Sequence, residues 1–268
     1  MPELDGKVAI VTGAGRLRGI GRAAAVKLAE LGADVVVTGT GRKPESYPDD
    51  EKAVGWKDIE STAEQVRSKG RRALPVVVDI TDKTAVDAMI AHAVKELGRV
   101  DILVNNAAFA RGEDRVPLLD VDQAIFQRVV DIKITGTFLV TQAFVRACKN
   151  PKGARIVNIS STAGKAGSPN TLAYNAGNFA LVGMTQSLAR ELGPKGINVN
   201  CVCPGAVETS RMDVLTREEM EFHAGNAALR RNGTDEEIAD LIGFLCTNAS
   251  AWITGQSINV NGGTVMEA

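Results

Sequence analysis

The sequence has few of the residues that most metal and nucleophile chemistry uses. It holds two histidines, His92 and His223, and neither stands in a ligand-spaced cluster. A histidine-based metal site and a Ser-His-Asp mechanism are therefore not expected. The four cysteines, Cys148, Cys201, Cys203 and Cys246, form no CxxC pair, which argues against a disulfide framework and against a zinc site. Neither sign of charge is in excess. The formal net charge is −1, so the chain offers no general basic field to nucleic acid or an anionic membrane. No apolar run approaches the ~18 residues of a membrane span. Residues 1–7 (MPELDGK) have no signal-peptide core. These absences lead to the expectation of a cytoplasmic protein with no membrane or nucleic-acid partner.

What is present suits a large α/β core. The 268 residues are 44% hydrophobic and 24% charged, which is ordinary for a globular protein and unlike a disordered one. Short β-branched runs lie at 7–12, 34–38, 73–78, 101–104, 154–159, 197–202 and 257–260. Helical patterns fall between them, at about 19–31, 57–69, 82–97, 120–149, 173–192 and 235–247, with a shorter one near 216–230. The apolar runs are continuous, which points to parallel strands buried on both faces. Strand-helix alternation makes right-handed βαβ units. The expected fold is α/β: a single doubly wound (Rossmann) domain over 1–268. Its seven-stranded parallel sheet takes the order 3-2-1-4-5-6-7, with helices on both faces. Residues 39–56 and 206–216 read as irregular. Ligands in such sheets bind beyond the carboxyl ends of the strands, so substrate-side loops are expected near 108–115, 162–171 and 206–225.

Glycine is abundant, at 27 residues, and its most telling cluster follows the first strand: Thr12-Gly13-Ala14-Gly15-Arg16-Leu17-Arg18-Gly19-Ile20-Gly21-Arg22. At a strand-helix junction such glycines allow a sharp turn and close approach to a pyrophosphate, and the helix N-terminus adds N–H groups. NAD sites often carry an acid at the end of strand two. Here that end reads Val37-Thr38-Gly39-Thr40-Gly41-Arg42-Lys43, and Asp34 stands at the wrong end. Small residues such as Thr40 followed by bases leave room for a 2′-phosphate, and Arg18 can reach the same place. This favours NADP(H) over NAD(H). The alternative is that Arg18, Arg42 and Lys43 are solvated loop charges.

Further motifs follow in order. They are Asp79 in VVVDITD, Asn105-Asn106-Ala107-Ala108, IVNISS ending at Ser161, Tyr174 thirteen residues beyond Ser161, PGAVET at 204–209, and ITGQSINVNGG near the C-terminus. Together these resemble the short-chain dehydrogenase/reductase family over nearly the whole chain. The resemblance implies hydride transfer between a nicotinamide cofactor and a small alcohol or carbonyl substrate. It implies that Asp79 and Ile80 lie at the adenine and that Asn105 and Ala107 line the cofactor. Pro204, Gly205, Val207 and Thr209 would hold the carboxamide end. Ser161 would orient the substrate oxygen, and Tyr174 would act as acid and base. It also implies a homotetramer packed through the helices at 120–149 and 173–192. One departure is in the glycine loop, where Gly13 and Gly19 enclose five residues rather than three.

The second departure touches the chemistry. In Tyr174-Asn175-Ala176-Gly177-Asn178, Asn178 stands where the family's YxxxK motif has lysine. In Asp131-Ile132-Lys133-Ile134-Thr135-Gly136, Lys133 stands where the family has asparagine. Three readings follow. In a compensated exchange, Lys133 extends its amine to Tyr174 and Asn178 bonds the nicotinamide ribose. In a damaged site, the chain binds nucleotide without turnover, as a sensor or partner-binding subunit. In the third, Lys133 faces solvent and another group activates Tyr174. Complementary departures favour the exchange. Of the remaining candidates, Ser160 reads as a cap and Cys201 and Cys203 as core. His223 reads as incidental, and Met212, Met220 and Phe222 as a lid or as helix packing. Phe109, Arg111 and Arg115 suit an acidic substrate, or are simply solvated.

Overall fold

Seven short apolar runs become seven parallel strands. The computed structural model describes residues 2–267. The strands are β1 (Val8–Val11), β2 (Asp34–Gly39), β3 (Ala73–Val77), β4 (Ile102–Asn105), β5 (Arg155–Ile159), β6 (Asn198–Pro204) and β7 (Ser257–Val260). They pair in the order β3-β2-β1-β4-β5-β6-β7, every pair parallel. Order and direction match the sequence expectation. All four residues of β1 and of β4 are buried, as continuous apolar runs require.

Helices cover both faces of the sheet. One core joins the sheet to α1 (Ile20–Glu30), α3 (Ile59–Ser68) and α9 (Asp235–Cys246), through Leu28, Val66 and Ile242 among others. The other joins it to α4 (Lys83–Leu97), α6 (Thr137–Ala147) and α7 (Leu172–Leu192), through Met89, Phe144 and Leu192. Fully burying each such side chain contributes roughly 1.5–3 kcal/mol. Starts are set by local caps: Asp82 accepts from the Thr84 and Ala85 N–H groups at α4, and Thr234 with Glu237 forms a capping box at α9.

The helical pattern expected over 120–149 is interrupted. Between α5 (Gln123–Val130) and α6 lies a π-helical turn, Asp131–Gly136, which carries Lys133. Residues 39–56, expected to be irregular, contain a 3₁₀ turn at Pro44–Ser46 and the short helix α2 (Asp49–Ala53). This segment folds back on the glycine loop. The Trp56 indole N–H donates to the Gly15 carbonyl at 2.7 Å, and the Leu17 N–H donates to Glu51 at 3.0 Å. The last helix to be placed, α8 (Arg217–Asn226), lies within the connection after β6 and starts on a Thr216–Glu219 capping box.

Candidate active site

The carboxyl ends of β1, β4, β5 and β6 bring the predicted residues to one side of the sheet. Several glycines there are fixed by protein packing. A Cβ on Gly13, whose φ is +68°, would lie 2.8 Å from the Ala107 Cα, and one on Gly21 would lie 2.5 Å from the Gly13 carbonyl oxygen. One on Gly205 would lie 2.8 Å from the Asn261 Cα. Backbone thus meets backbone around the loop, leaving a cradle of the kind a pyrophosphate needs. Gly19 precedes α1, and its N–H donates to Asp235 at 2.8 Å. Ile20 opens that helix.

Three of the charged residues assigned to the cofactor, Arg18, Arg42 and Asp79, have protein partners. Arg18 binds Asp50 at 2.7 Å and Asp213 at 2.7 Å. Arg42 binds Glu51 at 2.7 Å and Asp58 at 2.9 Å, and also donates to the Gly15 carbonyl. Asp58 is a non-glycine residue at φ +51°, and its carboxylate would lie 2.0 Å from a Cβ on Gly15 and 3.7 Å from one on Gly39. A buried carboxylate from the N-terminus of α3 thus lies beside the end of β2. Arg16 has no acid hydrogen-bonded to it among the described residues; burial and the neighbouring Arg42 lower its pKa. Thr40 is exposed beside them. Asp79 receives hydrogen bonds from Arg128 and Thr81, and although burial pushes its carboxyl upward, these bonds hold it down at about 2. Ile80 packs against Gly136.

Asn105 is committed inside the protein. Its amide donates to Thr141 at 3.0 Å and to Asn158 at 2.9 Å, tying β4 to α6 and β5. Val207 and Thr209 are buried after β6, with Pro204 closing that strand. Ser160 and Ser161 divide their work differently from the expectation. Ser161 caps the 3₁₀ turn Thr162–Gly164 by accepting from the Ala163 N–H, whereas the buried Ser160 donates to the Asn178 carbonyl at 2.9 Å. The strand's alternation turns Ser160 inward, which is why the cap falls to its neighbour.

Lys133 does not face solvent. It is 5% exposed, and its ammonium donates to the Ile159 carbonyl at 2.7 Å, at the end of β5. Gly177 makes this possible: a Cβ there would lie 2.9 Å from the Lys133 Cγ. Burial draws the ammonium down to about 8, while the nearby Tyr174 works in the opposite direction. Asn178, fully buried, donates to the Tyr174 carbonyl at 2.8 Å, one turn back on α7, and its Oδ1 has no partner. An acceptor left so in the interior suits a ribose hydroxyl donor.

Tyr174 sits among cations. Burial pushes its phenol upward, but Arg211, Lys133, a hydrogen bond with Ser161 and Arg115 together outweigh this and hold it below its ordinary value. The Arg115 guanidinium lies 3.8 Å from the ring centroid and that of Arg211 lies 5.7 Å from it. Arg211 also donates to the Phe109 carbonyl. Arg211 was not legible as a site residue, because it stands on a connection outside every motif and only the fold brings it to α7. Of the apolar candidates, Met212 is buried, whereas Phe222 is exposed and stands edge-on to His223. Cys201 and Cys203 are buried in β6, as expected. The arrangement joins a hydroxyl, a depressed phenol and several cations beside a glycine cradle. Such a set can move a proton to or from an oxygen while stabilising its charge.

Comparison with known proteins agrees with this geometry. A family model described as enoyl-(acyl carrier protein) reductase matches residues 13–265. A 3-oxoacyl-[acyl-carrier-protein] reductase of Aquifex aeolicus is 37% identical over 264 residues, covering 97% of this chain and 98% of the relative. The carveol dehydrogenase of Mycobacterium avium, solved in complex with NAD, superposes with a TM-score of 0.88 at 29% identity and full coverage of both chains (100% each). A short-chain dehydrogenase of Burkholderia cenocepacia in complex with NADP gives 0.83 at 30% identity, covering 98% of this chain and 99% of that one. The chain belongs to the short-chain dehydrogenase/reductase family. It is an oxidoreductase of that family. No helix among the described residues is long and apolar enough to cross a membrane.

Proposed function

We propose that the chain interconverts a hydroxyl and a carbonyl group of a small organic substrate with a nicotinamide cofactor, Tyr174 serving as acid and base. The observation that carries this is the depressed Tyr174 phenol beside Ser161, Lys133 and Arg211. When bound, the cofactor supplies or accepts the hydride. The chain's own residues do the rest. Ser161 orients the substrate oxygen, and Tyr174 gives that oxygen a proton in reduction and takes one in oxidation. Lys133 and Arg211 favour the tyrosinate, and Asn178 Oδ1 accepts from the nicotinamide ribose. Lys133 thus supplies the ammonium that Asn178 cannot, which is the compensated-exchange reading. The buried Lys133 amine supports it over the damaged-site alternative, because an ammonium without use is costly to bury.

The expectation of NADP(H) rested on Arg18, Arg42 and Lys43 and on the missing acid at the end of strand two; of these bases, Arg18 and Arg42 carry carboxylate partners. At that corner Arg16, Arg18 and Arg42 stand with four acids, Asp50, Glu51, Asp58 and Asp213. A 2′-phosphate brings further negative charge there, whereas a 2′-hydroxyl does not. We therefore take NAD(H) as the cofactor. The glycine cradle and the open acceptor on Asn178 fit its pyrophosphate and ribose.

Two measurements test this. Turnover of an alcohol and ketone panel by Tyr174→Phe should fall by roughly 10²–10⁴-fold with nucleotide binding retained; undiminished turnover rejects the mechanism. Direct titration should show NADH binding at least about tenfold tighter than NADPH, a difference of ~1.4 kcal/mol. Tighter NADPH binding restores the expectation drawn from the sequence.

A further inference from the structure

We propose that Arg111, Arg115 and Arg211 form a subsite for an oxyanion, carboxylate or phosphate, carried by the substrate a few bonds from its reacting carbonyl. This rests on the hydroxyl/carbonyl reading above and names the substrate class for it. The three guanidinium groups come from the two substrate-side loops, 108–115 and 206–225, and meet beside Tyr174. Arg115 stacks over the ring at 3.8 Å and is neutralised by the buried Asp114 at 3.2 Å. Arg211 lies 5.7 Å from the ring centroid, and Phe109 takes only one of its terminal nitrogens. Its other, Nη2, is buried and has no partner. Arg111 is half-buried and has no side-chain hydrogen bond among the described residues. The charges that act on it are Arg115 and Arg211, which lower its pKa after burial itself, and Tyr174 and Glu219, which raise it. Glu219 is exposed and is held in the capping box of α8.

Arg211 therefore lies by the reacting phenol with a buried, unpaired N–H and no bound carboxylate, and Arg111 is near enough for its charge to be felt by the same groups. A solvated loop charge turns outward and does not leave an N–H buried and unpaired. Crowding of like charge is unfavourable until an anion enters, and the forked donors of arginine match carboxylate and phosphate oxygens in pairs. The same cations lie within reach of the Tyr174 ring, so an anion held by them places its own carbonyl beside the phenol and Ser161. Neutral ketones gain nothing from this corner.

The test uses the full-length chain with its nucleotide. Malonate and inorganic phosphate are titrated separately by calorimetry into wild type, Arg111→Gln and Arg211→Gln. A 3-oxo acid, its methyl ester and the matching phosphonate are compared as substrates. At least one anion should bind wild type and lose about tenfold or more of its affinity in each variant; whichever binds identifies the source. The anionic ketone should exceed its ester in kcat/KM by about tenfold, chiefly through KM, and this ratio should collapse toward one in the variants, with Arg111→Lys recovering part of it. Binding of neither anion, equal binding in the variants, or preference for the ester overturns the subsite. Turnover that persists in Tyr174→Phe overturns the underlying mechanism instead, and the calorimetry still decides on the subsite.

Discussion

At the scale of single residues, the role proposed for Lys133 sets activity against stability. Its folded pKa of about 8 lies below the ordinary 10.5, so the unfolded chain binds that proton more readily. The sign follows. Below pH 8 the buried charge destabilises the fold by an amount on the order of 3 kcal/mol. That cost disappears as pH rises from 8 toward 10.5. Lys133→Met removes the charge but leaves the Ile159 carbonyl without its donor, which costs about 1–3 kcal/mol. The net expectation is a variant at least as stable as wild type at pH 7, by up to about 2 kcal/mol in urea unfolding, and the advantage shrinks in alkaline buffer. Turnover should fall, and the alkaline decline expected of wild type near pH 8 should be missing from the variant's pH–rate profile. A variant that is markedly less stable at pH 7 contradicts the buried-ammonium account. Lys133 and Asn178 were both legible as departures from a family pattern. The Lys133 carbonyl partner was not, because nothing in the sequence says that residue 159 lies beside residue 133.

Among elements, α7 and the π-turn Asp131–Gly136 act as a pair. The wider turn carries Lys133 inward, and Gly177 on the facing helix gives its stem passage. Replacing a mid-helix glycine by alanine ordinarily stabilises by about 1 kcal/mol. Here the added methyl meets Lys133 Cβ and Cγ at about 3 Å. Gly177→Ala should therefore lower the melting temperature and reduce turnover, whereas Gly183→Ala on the same helix, with open space around it, should raise it. Equal gains in both variants would remove the steric role. Strands were the most legible elements, since an unbroken apolar run buried on both sides has a simple signature. The segment over 39–56 was not: its polar composition reads as a loop, yet Glu51 and Asp58 bury their carboxylates against Arg42. A buried ion pair and a solvated one are written with the same residues.

For the whole molecule, three distant pieces of chain meet at Arg18. Asp50 comes from α2, Asp213 from the connection after β6, and the Arg18 carbonyl accepts the Ser210 N–H at 3.0 Å. Of Leu17 and Arg18, which lengthen the glycine loop, Arg18 thus joins it to the substrate-side connection and Leu17 joins it to Glu51 of α2. These ion pairs are partly exposed, so their contribution to global stability is small, within about 1 kcal/mol. Arg18→Gln should leave the unfolding midpoint nearly unchanged while hydrogen exchange quickens over 206–216 and not in α1. Uniform quickening would mean that Arg18 supports the fold at large. Strand order was legible because chain connectivity constrains it. The charge balance around the cofactor was not, because the sequence presents the bases of the glycine loop and of β2 together and gives no sign that acids elsewhere in the chain take them up.

The indole of Trp56 on the Gly15 carbonyl has an optical consequence. The chain has two tryptophans: Trp56 is buried against the nucleotide cradle and Trp252 is fully exposed, at 100%. A reduced nicotinamide absorbs where tryptophan emits. Occupancy of the cradle should therefore quench the blue-shifted component of the emission and leave the red-shifted one as an internal reference. Titration of reduced nicotinamide cofactor followed by tryptophan emission checks this, and quenching confined to the red-shifted component would contradict it.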